Sequence, residues 1–210
     1  YVLGVVVAVV AARLLGGTLF RGEPNDLFIE LPPYQAPTLR TVVRSASESG
    51  MMFLRKAGTW ILGGVVVMWA MANLPPGVPY AGEESLVGRL GHVIAPLFAP
   101  AGYGFWQAAV ALVFGFFAKE VIVGTFGTLL GASEAGLDAA LAQFFTPLSA
   151  YAFLVMTLLY VPCIAAVAAT YAETKSVRWT SFMAVFTILA GYLASVAVFQ
   201  IGSLLLPLLR

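Results

Sequence analysis

The sequence predicts an all-α, polytopic membrane protein with about four full spans, a broken or re-entrant helix pair and an interfacial amphipathic helix. Three observations carry that prediction. Of the 210 residues, 60% are hydrophobic and 10% charged, whereas typical soluble domains are about 25% charged. Apolar runs recur at close to the ~20 residues that a helical crossing needs. Finally, the apolar stretch 105–131 carries Lys119 and Glu120 near its middle, where a charge in an unbroken span costs about 2.5–3.5 kcal/mol on insertion scales. A chain that keeps two such residues there either uses them or breaks the helix around them.

Composition also excludes several functions. The net charge is +1, and no basic cluster interleaves with aromatic residues, so nucleic acid is not an expected partner. One cysteine and one histidine rule out an internal disulfide and a histidine-rich metal site. The motifs GxxxxGK[ST], HExxH and GxSxG are absent, and no paired carboxylates suit hydrolysis, so no enzyme is expected. The sequence opens at Tyr1, inside an apolar run and without a signal-peptide pattern, and so reads as part of a longer protein.

Residues 1–20 form the first predicted span, interrupted by Arg13. The polar stretch 21–26 and the proline-rich connector LFIELPPYQAP (27–37) follow; prolines forbid a continuing helix there. A first domain, 1–37, ends at this connector, and a transmembrane domain, 38–210, follows it. Thr38 is placed to cap a helix. Apolar residues at 39, 42, 43, 46, 53, 54 and 57 share one face, with Arg40, Arg44 and Glu48 on the other. That pattern predicts an interfacial helix over 38–57.

Residues 59–74 are the second span, with Trp60 and Trp69 as interfacial anchors. Leu86, Leu90, Val93, Ile94 and Leu97 form a stripe beside Arg89 and His92, predicting a short interfacial or partly buried helix ended by the Ala-Pro pairs at 95–96 and 99–100. Residues 105–118 provide roughly 21 Å of helix, short of a hydrocarbon core of about 30 Å, and 121–131 provide less. Two half-length segments around a charged pair are the signature of a broken helix lining a site. Gly127 and Gly131 form a GxxxG that permits close helix approach. Further spans are predicted at 148–171, containing Pro162 and Cys163, and at 181–206. Five of the eleven basic residues lie between Arg21 and Lys56, which places that connector on the cytoplasmic side. A re-entrant hairpin over 105–131 puts the turn containing Lys175 on the same side; a single crossing puts it outside.

Two constellations could carry chemistry. In Tyr160-Val161-Pro162-Cys163 the proline has no N–H, so the carbonyl of Leu158, four residues back, is freed. In a membrane such a carbonyl needs a partner: a side chain, a water or a cation. Cys163 adds a thiolate suited to soft and borderline metals. Met156 and Thr170, seven residues to either side, share its helix face. The alternative is a small packed hydrophobe beside a kink. In Lys119–Glu120, the carboxylate can bind a cation or proton, with the ammonium neutralising it when empty; the alternative is an ion pair at a helix end. Met68 and Met71 read as packing residues.

The blocks GEPNDLFIELPPYQAPTLRTVV (22–43), FLRKAGTWIL (53–62), PLFAPAGYGFWQAAVALVFGFFAKEVIVGTFGTLLG (96–131) and LLYVPCIAAVAATYAETKSVRWTSF (158–182) together resemble the ferrous iron transport protein B family. The likeness covers the C-terminal half of that family's membrane region, including its second Gate domain. It implies a multi-pass permease for Fe(II) import in a bacterial or archaeal inner membrane, forming one half of the ion pathway. Fe(II) is then the transported substrate, with no permanently bound cofactor. The implied partners are the lipid bilayer, an N-terminal GTP-binding domain that carries any GTP hydrolysis, a first Gate domain and, in some assemblies, further copies of the protein. Cys163 matches the family's Gate-domain cysteine, and Lys119 and Glu120 match its AKE motif. Two other readings compete: a Gate-type carrier for an organic solute such as a nucleoside, and a structural or oligomerisation module that touches no substrate.

Overall fold

The computed structural model describes residues 2–19, 38–117, 119, 121–132, 136–160 and 163–205. The proline-rich connector, Glu120, Pro162 and the side chain of Trp60 lie outside the described residues. Those described are mostly helical, with no strand among them. The chain divides into two compact units, Tyr1–Met52 and Phe53–Arg210.

In the first unit, α1 (Val2–Thr18) is apolar except for Arg13 and Thr18 and has no buried residue. The second helix, α2 (Leu39–Asn73), begins in this unit. Thr38 is its cap: the hydroxyl accepts the Thr41 N–H at 3.4 Å. Arg44 and Glu48 form the i,i+4 ion pair at 2.8 Å. It is well exposed on both sides, so it contributes at most a few tenths of a kcal/mol. The sequence pattern divides at residue 58, but α2 is one helix of 35 residues. An added Cβ at Gly58 or Gly63 meets nothing within 4 Å, and neither glycine alone is enough to stop a helix, costing about 1 kcal/mol each.

The second unit is built around α4 (Trp106–Phe117), in which Ala108, Ala109 and Ala111 are fully buried. A helix apolar all round belongs at the centre of its domain. It touches α3 (Leu86–Ile94), α5 (Val121–Leu130), α8 (Ile164–Thr174) and the 3₁₀ segment Ala95–Ala101. The Ala-Pro pairs do not end α3; they tighten it into that 3₁₀ segment, and the combined element meets α4 at 100°. The buried face of α3 is its small-residue face. Val87, Gly88, Gly91 and Ala95 are buried, while Leu86, Val93 and Leu97 of the apolar stripe are exposed. Lipid is as apolar as leucine, so membrane helices pack through small residues and leave large ones outward. A Cβ on Gly91 would lie 2.6 Å from Val110 and 2.8 Å from the Trp106 carbonyl.

The helices α7 (Pro147–Leu159) and α9 (Val177–Leu205) run antiparallel. Gly202 packs on Leu148 and Gly191 on Tyr160, and between them Ser195 Oγ donates to the Ala152 carbonyl at 2.8 Å. Tyr103, fully buried, joins that hydroxyl at 2.8 Å. By length and composition, 147–174 and 177–205 are each long and apolar enough to cross a membrane, and the bent pair 86–117 adds a third such segment. The chain is therefore an all-α polytopic membrane protein.

The helix α6 (Leu137–Phe144) delivers Phe145 to an aromatic cluster that fixes the path of the opening stretch. Phe105, just before α4, lies 4.8 Å from the Phe145 ring, and Phe126, midway along α5, lies 5.7 Å from it. A continuous helix would hold Phe105 and Phe126 about 31 Å apart. Residues 105–131 thus fold back as a helical hairpin. GxxxG is not its packing seam. Nothing lies within 4 Å of a Cβ on Gly131, whose φ is +60°. Ala132 N–H bonds the Gly127 carbonyl at 3.0 Å and Gly131 N–H bonds that of Thr128 at 3.3 Å. This is a Schellman cap, with glycine in the left-handed position it requires.

Candidate functional site

Two helix interruptions meet in the second unit. The first separates α4, ending at Phe117, from α5, beginning at Val121, with Lys119 between them. The second separates α7, ending at Leu159, from α8, beginning at Ile164. Lys119 bridges them. Its ammonium donates to the Thr157 carbonyl at 3.0 Å and lies 5.1 Å above the Tyr160 ring. Thr157 is in the last turn of α7, where carbonyls lose their intrahelical amides and the helix dipole is negative. A lysine and an orphan carbonyl, each costly in hydrocarbon, thereby satisfy one another.

Tyr160 is the hub. Its N–H still bonds the Met156 carbonyl at 2.9 Å, but its backbone turns extended, with φ −67° and ψ 178°. Its hydroxyl donates to the Leu112 carbonyl at 3.3 Å. Glycines on two helices make room for it. A Cβ on Gly115 of α4 would press on the Tyr160 hydroxyl, and one on Gly191 of α9 would lie 2.8 Å from its backbone nitrogen. Tyr160, Gly115 and Gly191 carry no role in the sequence reading. The available signal was a tyrosine opening the Tyr-Val-Pro-Cys motif opposite glycines in otherwise bulky helices.

Cys163 is half-buried and is the N-cap residue of α8. Its carbonyl accepts the N–H of Ala166 at 2.8 Å and of Val167 at 3.2 Å. Its thiol makes no cap bond. Met156 lies in the last turn of α7, Cys163 caps α8, and Thr170 lies within α8. Met156 is buried in the core. Thr170 donates to its own helix at Ala166 over 3.0 Å. Leu158 turns its side chain outward, leaving its carbonyl as its relevant group. Among the described residues, no three His, Cys, Asp or Glu side chains gather as a metal site.

A separate cavity of about 210 Å³ lies between α2, α4 and α5, lined by Met68, Trp69, Phe114, Phe117 and Gly124 among others. The hydroxyls of Thr125 and Thr128, also in its wall, bond carbonyls of their own helix at 2.8 and 3.0 Å. Its surface therefore offers hydrocarbon rather than hydrogen bonds. Met68 lines this space, and Met71 packs on the core.

A helical membrane domain in which two interrupted helices are in contact belongs to a class known among transporters, where half-helix ends and unwound carbonyls surround mid-membrane sites. The family described as Gate, nucleoside recognition, matches residues 54–177, and that described as ferrous iron transport protein B C terminus matches residues 1–48. Among curated relatives, the Fe(2+) transporter FeoB of Staphylococcus aureus strain MSSA476 is 39% identical over 97% of this chain and 31% of its own length. That of Methanocaldococcus jannaschii is 40% identical over 98% of the chain and 32% of its length. That of Helicobacter pylori is 30% identical over 98% and 38%. No solved structure matches the chain. The chain belongs to the ferrous iron transport protein B family and corresponds to the C-terminal part of its relatives, Gate domain included. It spans about a third of the length of the first relatives it matches.

Proposed function

We propose that the chain forms one half of a pathway through which Fe(II) enters the cell across a bacterial or archaeal inner membrane. The observation that carries this is the meeting of the two helix interruptions, with a cation already seated on an orphan carbonyl. Fe(II) is borderline in softness and accepts thiolate, carboxylate and carbonyl ligands. Crossing hydrocarbon, it needs replacements for its water. Cys163 and the Leu158 carbonyl stand at the second interruption, with Met156 in the last turn of α7 and Thr170 within α8, and Glu120 follows Lys119 in sequence. The pathway takes its other face from a first Gate domain, and a GTP-binding domain upstream regulates it; GTP hydrolysis belongs to that domain. The apolar cavity wall supports this reading over a nucleoside carrier, which needs amide and hydroxyl groups facing the solute.

The test is anaerobic Fe(II) uptake into proteoliposomes by the complete permease. Cys163→Ser and Glu120→Ala are each expected to lower the uptake rate by roughly tenfold or more, with GTP hydrolysis retained. Uptake unchanged in both variants removes the pathway from this chain.

A further inference from the structure

We infer that Tyr160 is a positioning residue for the cysteine: its hydroxyl, bonded to α4, fixes where Cys163 stands. This rests on the pathway reading and names the side chain that holds the thiol of that pathway in place. The interruption that carries Cys163 is weakly held on its α8 side. Pro162 has no N–H to offer, and α8, which Cys163 caps, buries no residue. The firmly held side is that of α7, whose C-cap residue is Tyr160. The three residues from Tyr160 to Cys163 span at most about 11 Å, so a shift of the tyrosine carries over to the thiol.

Contacts from several directions hold Tyr160. Its N–H bonds back to Met156, the Lys119 ammonium stands over its ring, and Gly191 of α9 lies against its backbone. The bond made to α4 itself is that of the hydroxyl, which reaches the Leu112 carbonyl across 48 positions of sequence. That carbonyl lies inside α4 and already belongs to its i→i+4 ladder. The tyrosine, rather than α4, gains a partner by the bond. The seat is also shaped for the hydroxyl. Gly115 follows Leu112 by three residues and shares its face; a Cβ there would press on the Tyr160 hydroxyl and lie 2.6 Å from the end of the Ile122 side chain. The absent side chain and the hydroxyl are thus two halves of one fit, and through it the break before Cys163 is registered against the helix that leads to Lys119.

The experiment uses the complete permease in proteoliposomes. Maleimide labelling of Cys163 is followed by peptide mass spectrometry, and Fe(II) uptake is measured anaerobically. Tyr160→Phe keeps the ring beneath Lys119 and removes only the hydroxyl. Cys163 is then expected to label roughly threefold faster or more, and KM for uptake to rise by a similar factor at near-constant Vmax. Mere loss of folded protein lowers Vmax and leaves KM alone. Gly115→Ala pushes on the hydroxyl and is expected to speed labelling in the same way. Added to Tyr160→Phe it is expected to change little, because the flexible end of Ile122 is what remains in its path. Labelling that is unchanged in Tyr160→Phe, two effects that multiply in the double variant, or a loss of Vmax at constant KM overturns the inference. Uptake that ignores Cys163→Ser defeats the iron pathway instead, and leaves the labelling comparison intact, because labelling requires no iron.

Discussion

Gly191→Val is expected to destabilise the protein by about 3 kcal/mol, at the upper end of overpacking costs. The Cβ alone would lie 2.8 Å from the Tyr160 nitrogen, 3.1 Å from its Cα and 3.3 Å from the Leu159 carbonyl carbon. These are backbone atoms and cannot rotate away as a flexible side-chain tip would. The two γ-methyls add to the conflict, so α9 must lift from the end of α7. Tyr160 moves with it, and so does its hydroxyl on Leu112. Gly191→Ala is expected to act in the same direction with a smaller effect. Unfolding of purified protein by titrated denaturing detergent measures both. A valine variant as stable as wild type contradicts the close approach.

Phe153→Ala is expected to cost a similar amount, about 3 kcal/mol. Large-to-small core changes of this type cost 3–5 kcal/mol in soluble proteins. The lower end applies here, since lipid removes most of the transfer contribution and leaves the lost packing. Phe153 is 5% exposed. Its ring meets Tyr103 at 5.3 Å, Phe145 at 5.4 Å and Phe126 at 5.6 Å. Because Phe126 and Phe145 also position α5 against α4, the cavity weakens the hairpin itself. Hydrogen exchange over 121–130 is expected to rise more than exchange over the α9 half that faces α7 near Gly202. Equal increases in both, or none, contradict the role of this cluster in holding the hairpin.

Much of the architecture was legible because membrane spans are written in composition. The break around Lys119 followed from two short apolar halves, and the Thr38 cap from a hydroxyl before a periodic run. The packing faces were not legible. On α3 the leucine stripe did not show which face meets the core, and that face is Val87, Gly88, Gly91 and Ala95. Hydropathy ranks residues against water, whereas here the surrounding solvent is lipid. Gly127 and Gly131 carried a packing motif but serve as a helix cap, while Gly91, Gly115 and Gly191 carry the close approaches without any motif. The link from Lys119 to Thr157 spans 38 positions, and no local pattern encodes a contact of that range.

The central claim is that Fe(II) meets this chain where its two helix interruptions join. Iron K-edge X-ray absorption of the complete permease, loaded anaerobically with Fe(II), tests it most directly. The wild type is expected to show a sulfur neighbour that is lost in Cys163→Ser, with oxygen ligands remaining. A first shell without sulfur in the wild type, or one whose sulfur is unchanged by Cys163→Ser, contradicts it.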